Sequence, residues 1–215
     1  MLKSLFALLI FGFCACNSSK KKTEENNSTA SLEHRLDDYI HLTEEMQLEK
    51  VMDYVYPKLF TIAPRESILK AMKDAFSSEE VKVELDSARI EKIYPVFEMG
   101  EGSYAKIDYS MIMVMDIKNP FDNNKSDTGT THMIGAEHPA PQATLIQSLI
   151  AEQYGEENVS VDKTTGIIRI HMTEAMVAVK DKYAKEWSFV SLKEDDPMIK
   201  KLFSKEVLDK LATYK

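Results

Sequence analysis

His171 and Asp108 are the side chains with which this chain would most readily move a proton. A histidine that accepts a proton, and a carboxylate that fixes its imidazole in one tautomer, make a general base with its orienter. Both residues sit in runs of period two. In "IIRIHMTEAMV" Arg169, His171 and Thr173 share one face, while Ile168, Ile170, Met172 and Glu174 share the other. In the run before it, Asp108 and Tyr109 point to opposite faces. The pair forms only if the strands turn His171 toward Asp108. The plainer reading of Arg169, His171 and Thr173 is a solvated face, because a two-faced strand normally turns its polar side to water.

A second pattern is apolar. In "SYAKIDYSMIMVMDI" Ile107, Tyr109, Met111, Met113, Met115 and Ile117 point one way, and Asp108, Ser110, Ile112, Val114 and Asp116 the other. A file of methionines is either adaptable core or the lining of a ligand surface, since the flexible thioether fits irregular apolar shapes. Met111, Met113 and Met115 are therefore the candidate binding residues.

Other chemistries lack their motifs. Seven glycines are few, and nothing resembles GxGxxG, GxxxxGKS or a GxSxG nucleophile elbow. The two cysteines are Cys14 and Cys16, so the rest of the chain holds no disulfide and no thiolate ligand. His132 and His138 stand in no HExxH or two-His-one-carboxylate spacing, and Glu137 cannot share a strand face with its neighbour His138. Neither a metal site nor a cofactor is expected. The net charge of −8 carries no clustered basic face beyond the N-terminal segment, which disfavours a nucleic-acid partner.

The elements that position these residues follow from periodicity. Leu32, Leu36, Tyr39 and Ile40 mark a first helix; Leu48, Val51, Met52, Val55 and Leu59 a second, with Pro57 in its last turn; Ile68, Leu69, Met72 and Phe76 a third, opened by Pro64. Period two then begins at Val81, Val83 and Leu85, and Gly100 with Gly102 reverses a long hairpin. Residues 119–141 read as a loop. "QATLIQSLIAEQYG" is a helix ended by Gly155, and residues 158–192 supply three strands. Asp196-Pro197 and Ser204 open two short helices. Helices, then an antiparallel sheet of about five strands with a helix inserted, make an α+β roll.

The N-terminal segment is read as an address. Lys3, the apolar run Leu5 to Phe13 and Ala15 form a signal peptide over residues 1–15, too short to span a bilayer. "FCAC", Phe13 to Cys16, resembles the lipobox of bacterial lipoproteins. That resemblance implies a diacylglyceryl group on Cys16 and a chain held to a membrane by its acyl tails. Asn17, where inner-membrane lipoproteins carry aspartate, implies the outer membrane, facing the periplasm. Residues 16–30 are polar enough to be a disordered tether, leaving residues 31–215 as one domain.

Within that domain, Tyr39 with Leu42, "KVMDYVYPKLF" from Lys50 to Phe60 and "EWSFV" from Glu186 to Val190 resemble the NTF2-like family, whose helices close one side of a cone-shaped sheet. The resemblance implies either a non-catalytic binding or scaffold module, taking an apolar ligand or an envelope protein, or a small isomerase, dehydratase or hydrolase that uses an Asp, His or Tyr inside the cone, here His171 with Asp108. The binding module is the preferred reading. Trp187, in the aromatic final strand, is expected to be buried.

Overall fold

The computed structural model describes residues 18–76, 81–117, 141–162, 164–193 and 196–215. Cys16, His132 and His138 lie outside them. Among the described residues six strands form one antiparallel sheet: β1 (Val81–Ile93), β2 (Phe97–Met99), β3 (Gly102–Ile117), β4 (Val159–Val161), β5 (Ile168–Lys180) and β6 (Ser188–Ser191). The order is β1-β3-β5-β4, with β2 added to β3 and β6 added to β5. The mixture of helix and antiparallel sheet is α+β, as the periodicity predicts. β3 and β5 form its centre and pair without interruption from Ser103↔Lys180 to Met115↔Ile168.

The long first arm of the hairpin divides at Pro95, which has no N–H to give to the ladder. Before the division, β1 contains a device that simple alternation does not reveal. Val83 and Leu85 face the same side as Met115 and Met113, but further along it is Ile90, of opposite parity, that shares a face with Tyr109. One extra residue restores the match. Pairing slips between Asp86 and Arg89, where Ser87 has φ +53, and again between Ile90 and Lys92, so both apolar sets reach one side of the sheet. The turn between β2 and β3 needs Gly100, at φ +61, and Gly102, where a Cβ would collide with the ring and hydroxyl of Tyr104.

Helices cover both faces. On the first, Leu32, Leu36 and Ile40 of α1 (Ser18–Glu44) pack on Ala105, Ile107, Met176, Ala178, Phe189 and Trp187. Further along that face, α4 (Pro141–Tyr154) sets Ile150 and Tyr154 against Ile168, Ile170, Met113 and Met115. The opposite face is closed by α5 (Pro197–Leu202) and α6 (Lys205–Ala212), whose Ile199, Leu202, Val207 and Leu211 bury Tyr104, Val177 and Val179. The expected caps are in place: Asp196 and Ser204 accept from the N–H groups of Met198 and Val207. Gly155, at φ +89, ends α4 and donates to the Ala151 carbonyl.

Two expected elements differ. α1 begins at Ser18, so residues 18–30 are helical where a tether was expected; Lys and Glu, frequent there, are good helix formers. The expected second helix breaks after one turn, α2 (Leu48–Val51), followed by a 3-10 turn at Pro57–Thr61. Proline disfavours helical geometry in the residue before it, and Tyr56 takes ψ 115. The released backbone joins the sheet: Phe189 donates to the Tyr54 carbonyl at 2.7 Å and Tyr56 donates to the Phe189 carbonyl at 2.9 Å. The third helix, α3 (Arg65–Phe76), starts just after Pro64, and its stripe is half-buried.

Candidate functional site

The first face of the sheet is not evenly covered. α1 closes the end that carries Ala105 and Ile107, α4 closes the end that carries Ile168 and Met115, and a groove of about 420 Å³ opens between them. That volume lies in the range of small-molecule pockets. Strand register builds the floor. Tyr109 stands opposite Glu174, Met111 opposite Met172, and Met113 opposite Ile170, all on this face. Tyr109, Met111, Met113, Met172 and Glu174 line the groove, with Gln153 and Tyr154 from the end of α4 on one side and Ser191 and Lys193 on the other.

The groove reaches the sheet edge because β5 is incompletely paired there. β4 pairs with residues Ile168 to Ile170 and β6 with Met176 to Val179. Between them, among the described residues, only the N–H of Leu192 reaches β5, donating to the Ala175 carbonyl at 2.8 Å. The methionines here are half-buried, whereas Ala105 and Ile107 at the other end of β3 are fully buried. Met111 and Met113 thus line the opening, Met113 and Met115 pack against the cluster beneath α4, and Met115 does not reach the groove lining.

One polar pair modifies this apolar floor. Burial first, then the electrostatic influence of the Tyr39 phenol and the Glu174 carboxylate, push the Tyr109 phenol well above the usual tyrosine range. It keeps its proton at any physiological pH, so it can offer a hydrogen bond to a ligand but cannot act as a base.

His171 and Asp108 are not brought together. His171 pairs with Ile112 and Asp108 with Ala175, so they share a sheet face but stand four positions apart, about 13 Å at the usual rise per residue. His171 is exposed. Asp108 is engaged elsewhere, accepting from the Tyr94 hydroxyl at 3.0 Å and pairing with Lys106 at 3.2 Å. Both lie on the face opposite the methionine groove.

A second cavity, of about 490 Å³, lies beside the β2–β3 turn and is lined by Tyr56, Tyr104, Asp181 and Phe203 among others. Of its three carboxylates, Glu101, Asp181 and Glu206, the Asp181 group is committed to structure. Asp181 accepts from the Tyr56 hydroxyl at 2.6 Å through Oδ2, and from the N–H groups of Tyr183 and Ala184 through Oδ1. Burial and this bond to Asp181 raise the Tyr56 phenol far above its ordinary value.

The residues that sequence reasoning missed are Met172, Glu174 and Lys193. Met172 and Glu174 stood on the correct strand face, but only the β3–β5 register places them opposite Met111 and Tyr109. Among the described residues no cluster of His, Cys, Asp and Glu is placed to hold a metal, and no helix is long and apolar enough to cross a membrane. No family model, curated protein or solved structure matches the chain.

Proposed function

We propose that this chain is a lipid-anchored binding or scaffold module of the bacterial cell envelope, built on an NTF2-like roll and working without catalysis. The observation that carries the reading is the methionine-floored groove between α1 and α4, open at a gap in the sheet edge. Adaptable thioethers with a few polar groups at one side suit an apolar ligand, or an apolar segment of an envelope protein, held with loose specificity. The separation of His171 from Asp108, and the engagement of Asp108 by Tyr94 and Lys106, favour binding over proton transfer. The N-terminal helices packed on an antiparallel sheet, with α4 inserted before β4, support the NTF2-like assignment. Cys16 supports the anchor, and Asn17 the outer membrane.

The test is native mass spectrometry of the protein purified from its host envelope, followed by displacement of an environment-sensitive fatty-acid probe. Loss of probe binding in a folded Met113→Ala variant, with His171→Ala unaffected, is the expected result. Turnover of a co-purified metabolite that disappears in His171→Ala would replace this reading with the enzyme.

A further inference from the structure

We infer that the groove holds a soft monovalent cation of the Cu(I) and Ag(I) class through the thioethers of Met111, Met113 and Met172. The inference rests on the groove being a binding site but not on its taking an apolar ligand.

Three observations support it. First, Met111 and Met172 are directly opposed on adjacent strands, a relation that sets Cβ atoms about 4.5–5.5 Å apart, and Met113 is the next residue on the same face. Each side chain has three rotatable bonds, so three sulfurs can turn toward one point without moving the backbone. Second, all three line one cavity and are half-buried, with Met113 and Met172 also packed against the cluster beneath α4, so they are neither fully enclosed nor dispersed over the surface. Third, the Glu174 carboxylate lines the same cavity, two residues beyond Met172 on the same face, where it offsets the charge of a bound cation. Lys193, also at the groove, is exposed and can extend into water.

The donor set decides the metal class. Thioethers are soft and uncharged, so they select Cu(I) and Ag(I) over Zn(II), Mg(II) or Ca(II), which favour imidazole, thiolate or oxygen. They also carry no proton to lose. Binding therefore persists at acidic pH, unlike binding to histidine or cysteine, which must first deprotonate.

The experiment uses the full chain with Cys14→Ser and Cys16→Ser, so that thiolates do not compete, titrated calorimetrically with Ag(I) in chloride-free buffer and with Cu(I) against a chromophoric chelator. One equivalent is expected, with the same affinity at pH 5.5 and 7.5. The volume-conserving pair Met111→Leu and Met172→Leu should weaken it at least by the roughly 10- to 100-fold that losing even an outer-sphere partner costs. The ε-methyl resonances of Met111, Met113 and Met172 should shift with Ag(I), while those of buried Met52 and Met176 stay fixed; this readout needs no substitution. Affinity unchanged in the double variant, lost on acidification, or shifts confined to other methionines would overturn the inference. The fatty-acid probe separates the two readings: leucines preserve an apolar floor, so the double variant that loses Ag(I) but keeps the probe supports both. A chain that binds Ag(I) through these residues but never binds the probe supports the cation alone.

Discussion

Arg35 of α1 donates from Nε to the main-chain carbonyl of Trp187 at 2.6 Å, tying the first helix to the segment just before β6. The same guanidinium reaches Glu186 at 2.9 Å and lies 4.4 Å from the Tyr54 ring centroid, so one side chain joins α1, the segment after α2 and the start of β6. Glu186 is largely exposed, and its ion pair adds little. The charged bond to a buried stretch adds more. Arg35→Met, which keeps the aliphatic stem, should lower unfolding free energy by about 1.5–3 kcal/mol in urea titrations. A loss confined to low-salt conditions would instead point to the surface pair, which salt screens.

Trp187 itself is fully buried between α1 and the sheet, as the sequence predicts, although it lies just before β6 and not in the middle of a strand. Trp187→Ala should cost about 3–5 kcal/mol. Because that is a large part of a typical domain's stability, the variant should show a strongly lowered denaturation midpoint by circular dichroism.

The end of α1 offers the opposite sign. Gln47 donates to the Leu42 carbonyl and Met46 to the Thr43 carbonyl, the two bonds of a Schellman cap, and the residue at its left-handed position is Met46, at φ 56. A side chain there costs roughly 1–2 kcal/mol that glycine does not incur. Met46→Gly should raise thermal stability by about 1 kcal/mol, an outcome checked by calorimetry against Met198→Gly, which enters the short helix α5 and should only destabilise.

Buried tyrosines set the alkaline limit. Tyr56 and Tyr109 both have phenols raised above their unfolded value, chiefly by burial. For a raised group the stabilisation is full below the unfolded pKa of about 10 and declines as pH rises beyond it, because the unfolded chain ionises while the folded one holds its proton. Each such tyrosine lowers stability by about 1.4 kcal/mol per pH unit above that point. Tyr56→Phe and Tyr109→Phe should each flatten the decline between pH 10 and 12 by close to one proton's slope. Tyr56→Phe should also lose about 1 kcal/mol at neutral pH with its bond to Asp181.

Much of this architecture was legible in local pattern. The period of two found β3 and β5, Pro64, Asp196 and Ser204 marked helix starts, and Gly155 marked an end. Pairing between distant segments was not legible. Nothing near Leu85 announces that Ser87 adds a residue to the strand, and nothing near Val55 announces that a Pro57-broken helix will hand its backbone to Phe189. The site divides in the same way. The Met111 and Met113 face was visible in one strand, but its partners Met172 and Glu174 depend on register, as does the separation that leaves His171 away from Asp108.

The anchor is tested apart from the domain. If Cys16 receives the acyl group, Cys16→Ser should abolish incorporation of an alkyne fatty acid in the expressing host and move the protein from the membrane to the soluble fraction. Leu32 of α1, well after Cys16 in the chain, is fully buried, and Arg35 fastens α1 to Trp187 from within the domain. The variant should therefore keep its denaturation midpoint and its groove binding while losing the membrane. Label retained in Cys16→Ser would sink the lipoprotein reading. A chain that stays in the membrane fraction without label would show attachment by the uncleaved apolar run Leu5 to Phe13 or by a partner, and mass spectrometry of the N-terminal peptide distinguishes these by the presence or absence of residues 1–15.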